Sequence, residues 1–234
     1  PNRALPPLGV LAALIYLSAS TLAGDLYVDP AASGNESGAN WANAYERLQD
    51  AIHGSQAGDR IIVAGGTYLP DRSDLFPGGN GDRFISFKIE HDLTILGGFA
   101  GAANPGNPNQ HNPSIYPTVL SGDIDQNDGG LLSPSTINPS AAAWQDNAAH
   151  VVVVSTGAGG GSGIMTVHFE DLVIEAGFAR EATAPGGAPD PKVGGGVLCF
   201  AEGTSQGLAL TMQSCTVQGN FAKTSGGGIA SFGN

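Results

Sequence analysis

The feature of this 234-residue chain that most constrains its fold is an internal repeat whose three copies align without a gap. The copies begin at His91, Glu170 and Gln213. Each consists of a polar pair, an apolar residue, a spacer, a β-branched residue, a spacer, two small residues and then Phe-Ala. A glycine triplet also recurs, at residues 194–196 and 226–228. Repeats spaced by about 20–50 residues are typical of folds in which one short unit stacks on the next.

Each copy of the repeat predicts a strand, a bend and a second strand. In the second copy, Leu172 and Ile174 alternate with other residues and so lie on one face of a strand. Val167 and Phe169 alternate in the same way before the polar pair, which predicts a bend between the two strands. The small residues that follow predict another bend, at a point where backbone approaches backbone. We therefore predict an all-β fold in which each copy belongs to one coil of a solenoid.

The residues before the first repeat predict one helix among several short strands. The helix is expected over residues 44–53, with Asn43 as N-cap, Glu46 completing a capping box, and Leu48 and Ala51 on one apolar face. Further strands are predicted at residues 26–28, 60–64, 67–68, 118–120 and 150–154. We expect an N-terminal cap over about 24–60 and coils over about 60–234.

The first 23 residues have the pattern of a secretory signal peptide. Arg3 precedes an apolar stretch at residues 8–17, and small residues follow up to Ala23. About ten apolar residues are too few for a membrane span, which needs about 20. The expected mature domain is therefore 24–234, secreted and with no membrane span.

The composition excludes some classes of partner. Charged residues make up only 13% of the chain, and the net charge is −12. No run of Lys or Arg is present, so a nucleic-acid partner is not expected. The two cysteines, Cys199 and Cys215, are too few for a disulfide framework. Two buried thiols are favoured for them, and a single disulfide is the alternative.

One acidic loop is a candidate calcium site. Asp123, Asp125, Asn127 and Asp128 supply closely spaced oxygen ligands of the kind that Ca²⁺ prefers. The loop does not match an EF-hand, because Asp128 stands where that motif needs Gly and Pro134 where it needs Glu. The alternative is a solvated turn rich in Asp and Asn. No catalytic residue is assigned.

Several short motifs connect the chain to a known superfamily. They are WANAY at 41–45, AGGTY at 64–68, GGFAG at 97–101, and CTVQGN at 215–220 followed by the second glycine triplet. On these motifs the chain resembles the right-handed parallel β-helix, or pectin-lyase-like, superfamily. Within it, the likeness is to bacterial secreted and surface proteins with polymorphic outer-membrane-protein repeats. Val217 departs from that repeat, which favours Phe at this position.

The resemblance implies a fold more specifically than a function. It implies a right-handed parallel β-helix in the extracellular space or at an outer-membrane surface. We expect the helix from residue 44 to cap its N-terminal end. Because Asn234 follows a repeat signature and no terminal cap is visible, we expect the β-helix to be truncated after its first several coils. One implied function is that of a secreted or cell-surface structural and interaction module, passenger-like or adhesin-like, whose partner is a polysaccharide or another host or cell-surface ligand. The alternative is a carbohydrate-active enzyme, either a Ca²⁺-assisted polysaccharide lyase or a glycoside hydrolase. Because a fold does not determine chemistry, both remain open from sequence.

Overall fold

The computed structural model describes residues 23–128, 141–157, 163–180, 190, 192–201 and 206–232. Within these ranges the regular structure is one α-helix, three short 3₁₀ turns and fifteen strands, and the strands pair only in parallel. The predicted all-β class is therefore confirmed. The predicted signal peptide falls almost wholly on residues 1–22, outside the described part of the chain.

The strands are short and follow one another at brief intervals. In chain order they are β1 Asp25–Val28, β2 Arg60–Ala64, β3 Gly66–Tyr68, β4 Phe87–Ile89, β5 Leu93–Phe99, β6 Thr118–Ser121, β7 Val152–Ser155, β8 Gly163–Glu170, β9 Leu172–Glu175, β10 Phe178–Ala179, β11 Val197–Phe200, β12 Gln206–Gln213, β13 Thr216–Gln218, β14 Phe221–Ala222 and β15 Ile229–Phe232. The α-helix, α1, spans Leu48–Gly54.

The strands form three main sheets that the chain visits in turn. The first sheet has the order β1-β2-β5-β8-β12, the second β3-β6-β9-β13 and the third β4-β7-β11-β15. A small fourth sheet pairs β10 with β14. From β2 onward, the chain contributes one strand to each main sheet and then returns to the first. Consecutive passes of the chain therefore lie side by side in every sheet.

The core lies between the three sheets. Phe169 from the first sheet, Ile174 from the second and Phe87 from the third are fully buried in one cluster. Complete burial of such side chains contributes roughly 1.5–3 kcal/mol each. The alternation seen in sequence around Val167 and Phe169 is the alternation of buried and partly exposed residues along β8.

The second and third copies of the repeat are stacked as the sequence alignment predicts. Ile174 lies opposite Val217, and Phe178 lies opposite Phe221. The bend at each polar pair is made by a residue with positive φ, 55° at Asp171 and 51° at Ser214. The glycine triplets are also adjacent, since the N–H of Gly196 donates to the carbonyl of Gly227 at 3.0 Å.

The first copy is not structurally equivalent to the other two, so this part of the repeat prediction is wrong. It forms β5, in which Leu93 lies opposite Val167 of β8 in the first sheet. The strand beside β9 in the second sheet is β6, with Thr118 opposite Leu172. Alternating apolar residues and small bends are common to inner strands of all three sheets, so the pattern alone does not specify which sheet a strand joins.

The helix begins later than predicted, and the capping box is absent. Residues 41–43 form a 3₁₀ turn, and Tyr45 then donates its N–H to the carbonyl of Tyr27 in β1 at 2.9 Å. This pairing keeps residue 45 out of the helix, which starts at Leu48 after an N-cap, Arg47, that makes no side-chain cap bond. No helix in the described ranges has the length and apolar character that crossing a bilayer requires.

Candidate functional site

The predicted calcium loop directly follows β6 and is organised by Asp123. One carboxylate oxygen of Asp123 accepts a hydrogen bond from the N–H of Asn127 at 2.9 Å. The other accepts from the N–H of Asp128 at 3.2 Å. Both oxygens of Asp123 therefore hold the loop in its turn, as Asp side chains commonly do.

A second segment, just before β7, completes the cluster. The side-chain amide of Asn127 donates to Asp146 Oδ2 at 2.6 Å. The side-chain amide of Asn147 donates to Asp128 Oδ2 at 2.7 Å and to the carbonyl of Ala176 at 3.0 Å. Sequence reasoning missed Asp146 and Asn147 because they are 19 residues away from their partners and belong to no ligand motif.

The second segment is anchored to two neighbouring parts of the fold. The Arg83 guanidinium donates through Nε to the carbonyl of Asn147 at 2.8 Å and through Nη2 to the carbonyl of Phe178 at 2.7 Å. Asn147 itself is fully buried. These contacts hold Asn147 in position against the acidic loop.

Burial and mutual repulsion raise the pKa of two carboxylates of the cluster. Burial raises the pKa of Asp128 to about 6, the Asn147 hydrogen bond opposes this shift, and the charges of Asp123 and Asp146 add to it. Burial also raises the pKa of Asp146, and its contact with Asp125 adds to this shift. The cluster therefore concentrates negative charge where solvation is reduced.

Three oxygen atoms of this cluster are buried and accept no hydrogen bond. They are Asp128 Oδ1, Asp146 Oδ1 and Asn147 Oδ1. A buried acceptor that stays unpaired costs about 1–3 kcal/mol. The Asn127–Asp146 and Asn147–Asp128 hydrogen bonds join the two segments that carry these oxygens. Unpaired buried oxygens on such neighbouring segments require an explanation, and a bound water or ion is an ordinary one.

The four ligands predicted from sequence have different surroundings. Asp125 and Asn127 are exposed, Asp123 is half-buried with both oxygens bonded, and Asp128 is buried. In the described parts of the chain, no three His, Cys, Asp or Glu side chains are arranged to hold a metal ion. The calcium site at Asp123, Asp125, Asn127 and Asp128 stays a prediction.

Two His contacts resemble parts of catalytic groups but serve the fold. The Ser55 hydroxyl donates to the carbonyl of Ile52 at 2.7 Å, and its oxygen lies 3.0 Å from His91 Nε2. The Ile52 carbonyl competes with His91 for the single hydroxyl proton, so this contact is not by itself a Ser–His nucleophile pair. His111 Nε2 lies 3.1 Å from Asp171 Oδ2 and links a loop to the bend between β8 and β9.

In the structure the two cysteines are free thiols rather than partners in a disulfide. Cys199 is buried in β11, and burial raises its pKa to about 11. Cys215 is half-buried just before β13, and burial also raises its pKa. Neither is a low-pKa thiol of the kind that acts as a nucleophile.

Comparisons of this chain with protein-family models, with curated proteins and with solved structures found no match. Its function is therefore argued from the sheets and the contacts described above.

Proposed function

We propose that this chain folds as a right-handed parallel β-helix and serves as a secreted or cell-surface structural and interaction module, passenger-like or adhesin-like. The observation that carries the proposal is the stacking of successive passes of the chain in register. Val197, which follows the first glycine triplet, lies opposite Ile229, which follows the second. Phe178 of the second repeat copy lies opposite Phe221 of the third copy.

The strand order in the three main sheets supports the β-helix. In a β-helix, each coil contributes one strand to each sheet, and the next coil adds its strands alongside. The orders β2-β5-β8-β12, β3-β6-β9-β13 and β4-β7-β11-β15 follow this rule. Such solenoids form extended surfaces of repeated units, which suit binding to extended or repeated partners.

The polar side chains that bridge neighbouring passes support a structural role over a chemical one. Asn220 donates to the carbonyl of Ile174 at 2.9 Å and accepts from the N–H of Gly177 at 2.8 Å. Asp29 accepts from the N–H groups of Ala31 and Ala102 at 2.8 and 2.6 Å. These groups satisfy backbone donors and acceptors that the turns leave unpaired.

The proposed location depends on the signal peptide at residues 1–23. Expression of the chain with its own N-terminus in a bacterial host should yield an exported protein that begins at Gly24. N-terminal sequencing of the exported and retained fractions would check this. Retention of the uncleaved chain in the cytoplasm would contradict it.

The function is tested with a panel of neutral and acidic polysaccharides and with intact cells. Two readouts are needed, saturable binding of the purified protein and release of reducing or unsaturated ends. A module should bind at least one of these surfaces and release no product. Product from any polysaccharide would overturn the proposal in favour of a lyase or a hydrolase, and failure to bind any surface would overturn the interaction role.

A further inference from the structure

We propose that Asp128, Asp146 and Asn147 form a weak Ca²⁺ site between the loop after β6 and the segment before β7. Each contributes one buried oxygen that accepts no hydrogen bond. Two of the three residues lie outside the predicted loop, so the site is an assembly of two segments.

The orientation of Asn147 determines which of its atoms is available. Its amide nitrogen faces two acceptors, Asp128 Oδ2 and the carbonyl of Ala176. Reversing the amide would place its oxygen against both of these oxygens, so the assignment follows from the contacts. The side-chain oxygen of a fully buried residue is thereby left without a donor, which is an independent sign that a ligand belongs there.

The chemistry of these atoms fits a hard cation. Ca²⁺ takes about six to eight oxygen ligands, including carboxylates, amide oxygens, main-chain carbonyls and water. Two carboxylates and one amide leave room for water and carbonyl ligands. So few charged ligands predict an affinity in the range of extracellular modules, with a Kd of about 10⁻⁴ to 10⁻³ M.

The remaining polar residues hold the site in place or add charge to it. Asn127 orients Asp146 through the 2.6 Å bond, and Asp123 shapes the loop that carries Asp128. Asp125 is exposed and interacts with Asp146, so it adds negative charge at the rim. Of the four side chains suggested by sequence, only Asp128 is a ligand in this proposal.

The test is calorimetric titration of CaCl₂ into the full chain at neutral pH and about 0.15 M NaCl, together with thermal melts. The wild-type protein should bind with a Kd near the millimolar range and melt at a higher temperature in Ca²⁺. Asp128→Asn and Asp146→Asn should each weaken binding by at least about tenfold. Glu90→Gln, which removes the same charge from an exposed pair with Lys88, should bind like wild type.

Two results would overturn the proposal. One is the absence of both binding heat and a melting shift in wild type at up to about 10 mM CaCl₂. The other is binding as tight as wild type by either Asn variant. Circular dichroism without Ca²⁺ checks that each variant folds, and Asp146→Asn, at the less buried position, carries the test if Asp128→Asn does not fold.

Discussion

The two ends of the stacked sheets are covered differently. At the first end, α1 packs against β1, β2 and β4, and its Leu48, Ala51 and Ile52 are buried. At the other end, no element of the described ranges lies across the edges of β12, β13 and β15. Ile229 and Phe232 of β15 are 47% and 49% exposed there. A strand of these sheets is therefore buried in the core where another element covers it, and partly exposed where none does.

The contrast is clearest between β8 and β12, which pair over eight residues. Phe169 of β8 is fully buried, whereas its partner Met212 in β12 is only partly buried. A cavity of about 500 Å³ beside β12 is lined by Met212, Leu208 and Leu210. Both strands alternate apolar and polar residues, so the pattern predicts which face turns inward but not how completely it is buried.

The largest effect is expected from truncating the inner member of this pair. Phe169→Ala should lower the free energy of unfolding by about 3–5 kcal/mol, because it opens a cavity in a closed core. Met212→Ala should cost only about 1 kcal/mol, because its side chain is already partly solvated. Urea unfolding of both variants measures the difference. Equal losses would show that β12 is covered in solution.

Two glycines provide a second comparison. A Cβ on Gly177 would overlap the carbonyl of Gly195 in the neighbouring pass, so Gly177→Ala should destabilise by about 1–3 kcal/mol. A Cβ on Gly207 in β12 meets nothing closer than Ile164 Cγ1 at 3.4 Å, so Gly207→Ala should be neutral or should stabilise by up to about 1 kcal/mol. Thermal and urea unfolding give both values. If Gly177→Ala were as stable as wild type, the backbones at Gly177 and Gly195 would be farther apart than in the structure.

The buried side chain of His150 should make the free energy of unfolding sensitive to acid. Burial lowers the pKa of His150 below 6.5, while the Gly194 carbonyl and Asp190 oppose the shift and Arg83 adds to it. The unfolded chain then binds the proton more readily, so stability is lost as the pH falls through about 6.5 towards the lower folded-state pKa. His150→Asn keeps an amide donor near the position of Nδ1, the atom that faces the Gly194 carbonyl, and should flatten this loss in urea unfolding between about pH 7 and 5. An unchanged pH slope would assign the sensitivity to other groups.

The smallest effect is expected on the first strand. Arg60 and Asp25 form a two-point ion pair between β2 and β1, at 2.8 and 2.7 Å, but both side chains are substantially exposed. Arg60→Ala should therefore cost about 0.2–1 kcal/mol, and added salt should reduce the difference from wild type. A loss as large as that of Phe169→Ala would show that β1 depends on this pair more than on α1.

Sequence reasoning predicted the local elements well and their partners only in part. The strand at 60–64 and the match of Ile174 with Val217 were both predictable, because short alternation and a gap-free repeat are local signals. The place of Leu93 in the first sheet was not predictable, because the alternation of apolar residues around it suits an inner strand of any sheet. The helix start was missed because backbone pairing with Tyr27 takes Tyr45 out of the helix.

The candidate site, too, was predictable from sequence only in part. Asp128 could be suggested from a run of oxygen-bearing residues. Asp146 and Asn147 come together with it only through tertiary contacts, in which Asn147 bonds both Asp128 and the carbonyl of Ala176. By itself, the amino-acid sequence determined the all-β class, the alternation and the offset of the last two passes. Only the tertiary structure decided which sheet each strand joins, how deeply each is buried and which oxygens are left without a donor. Those properties depend on contacts between distant segments, and no local pattern encodes them.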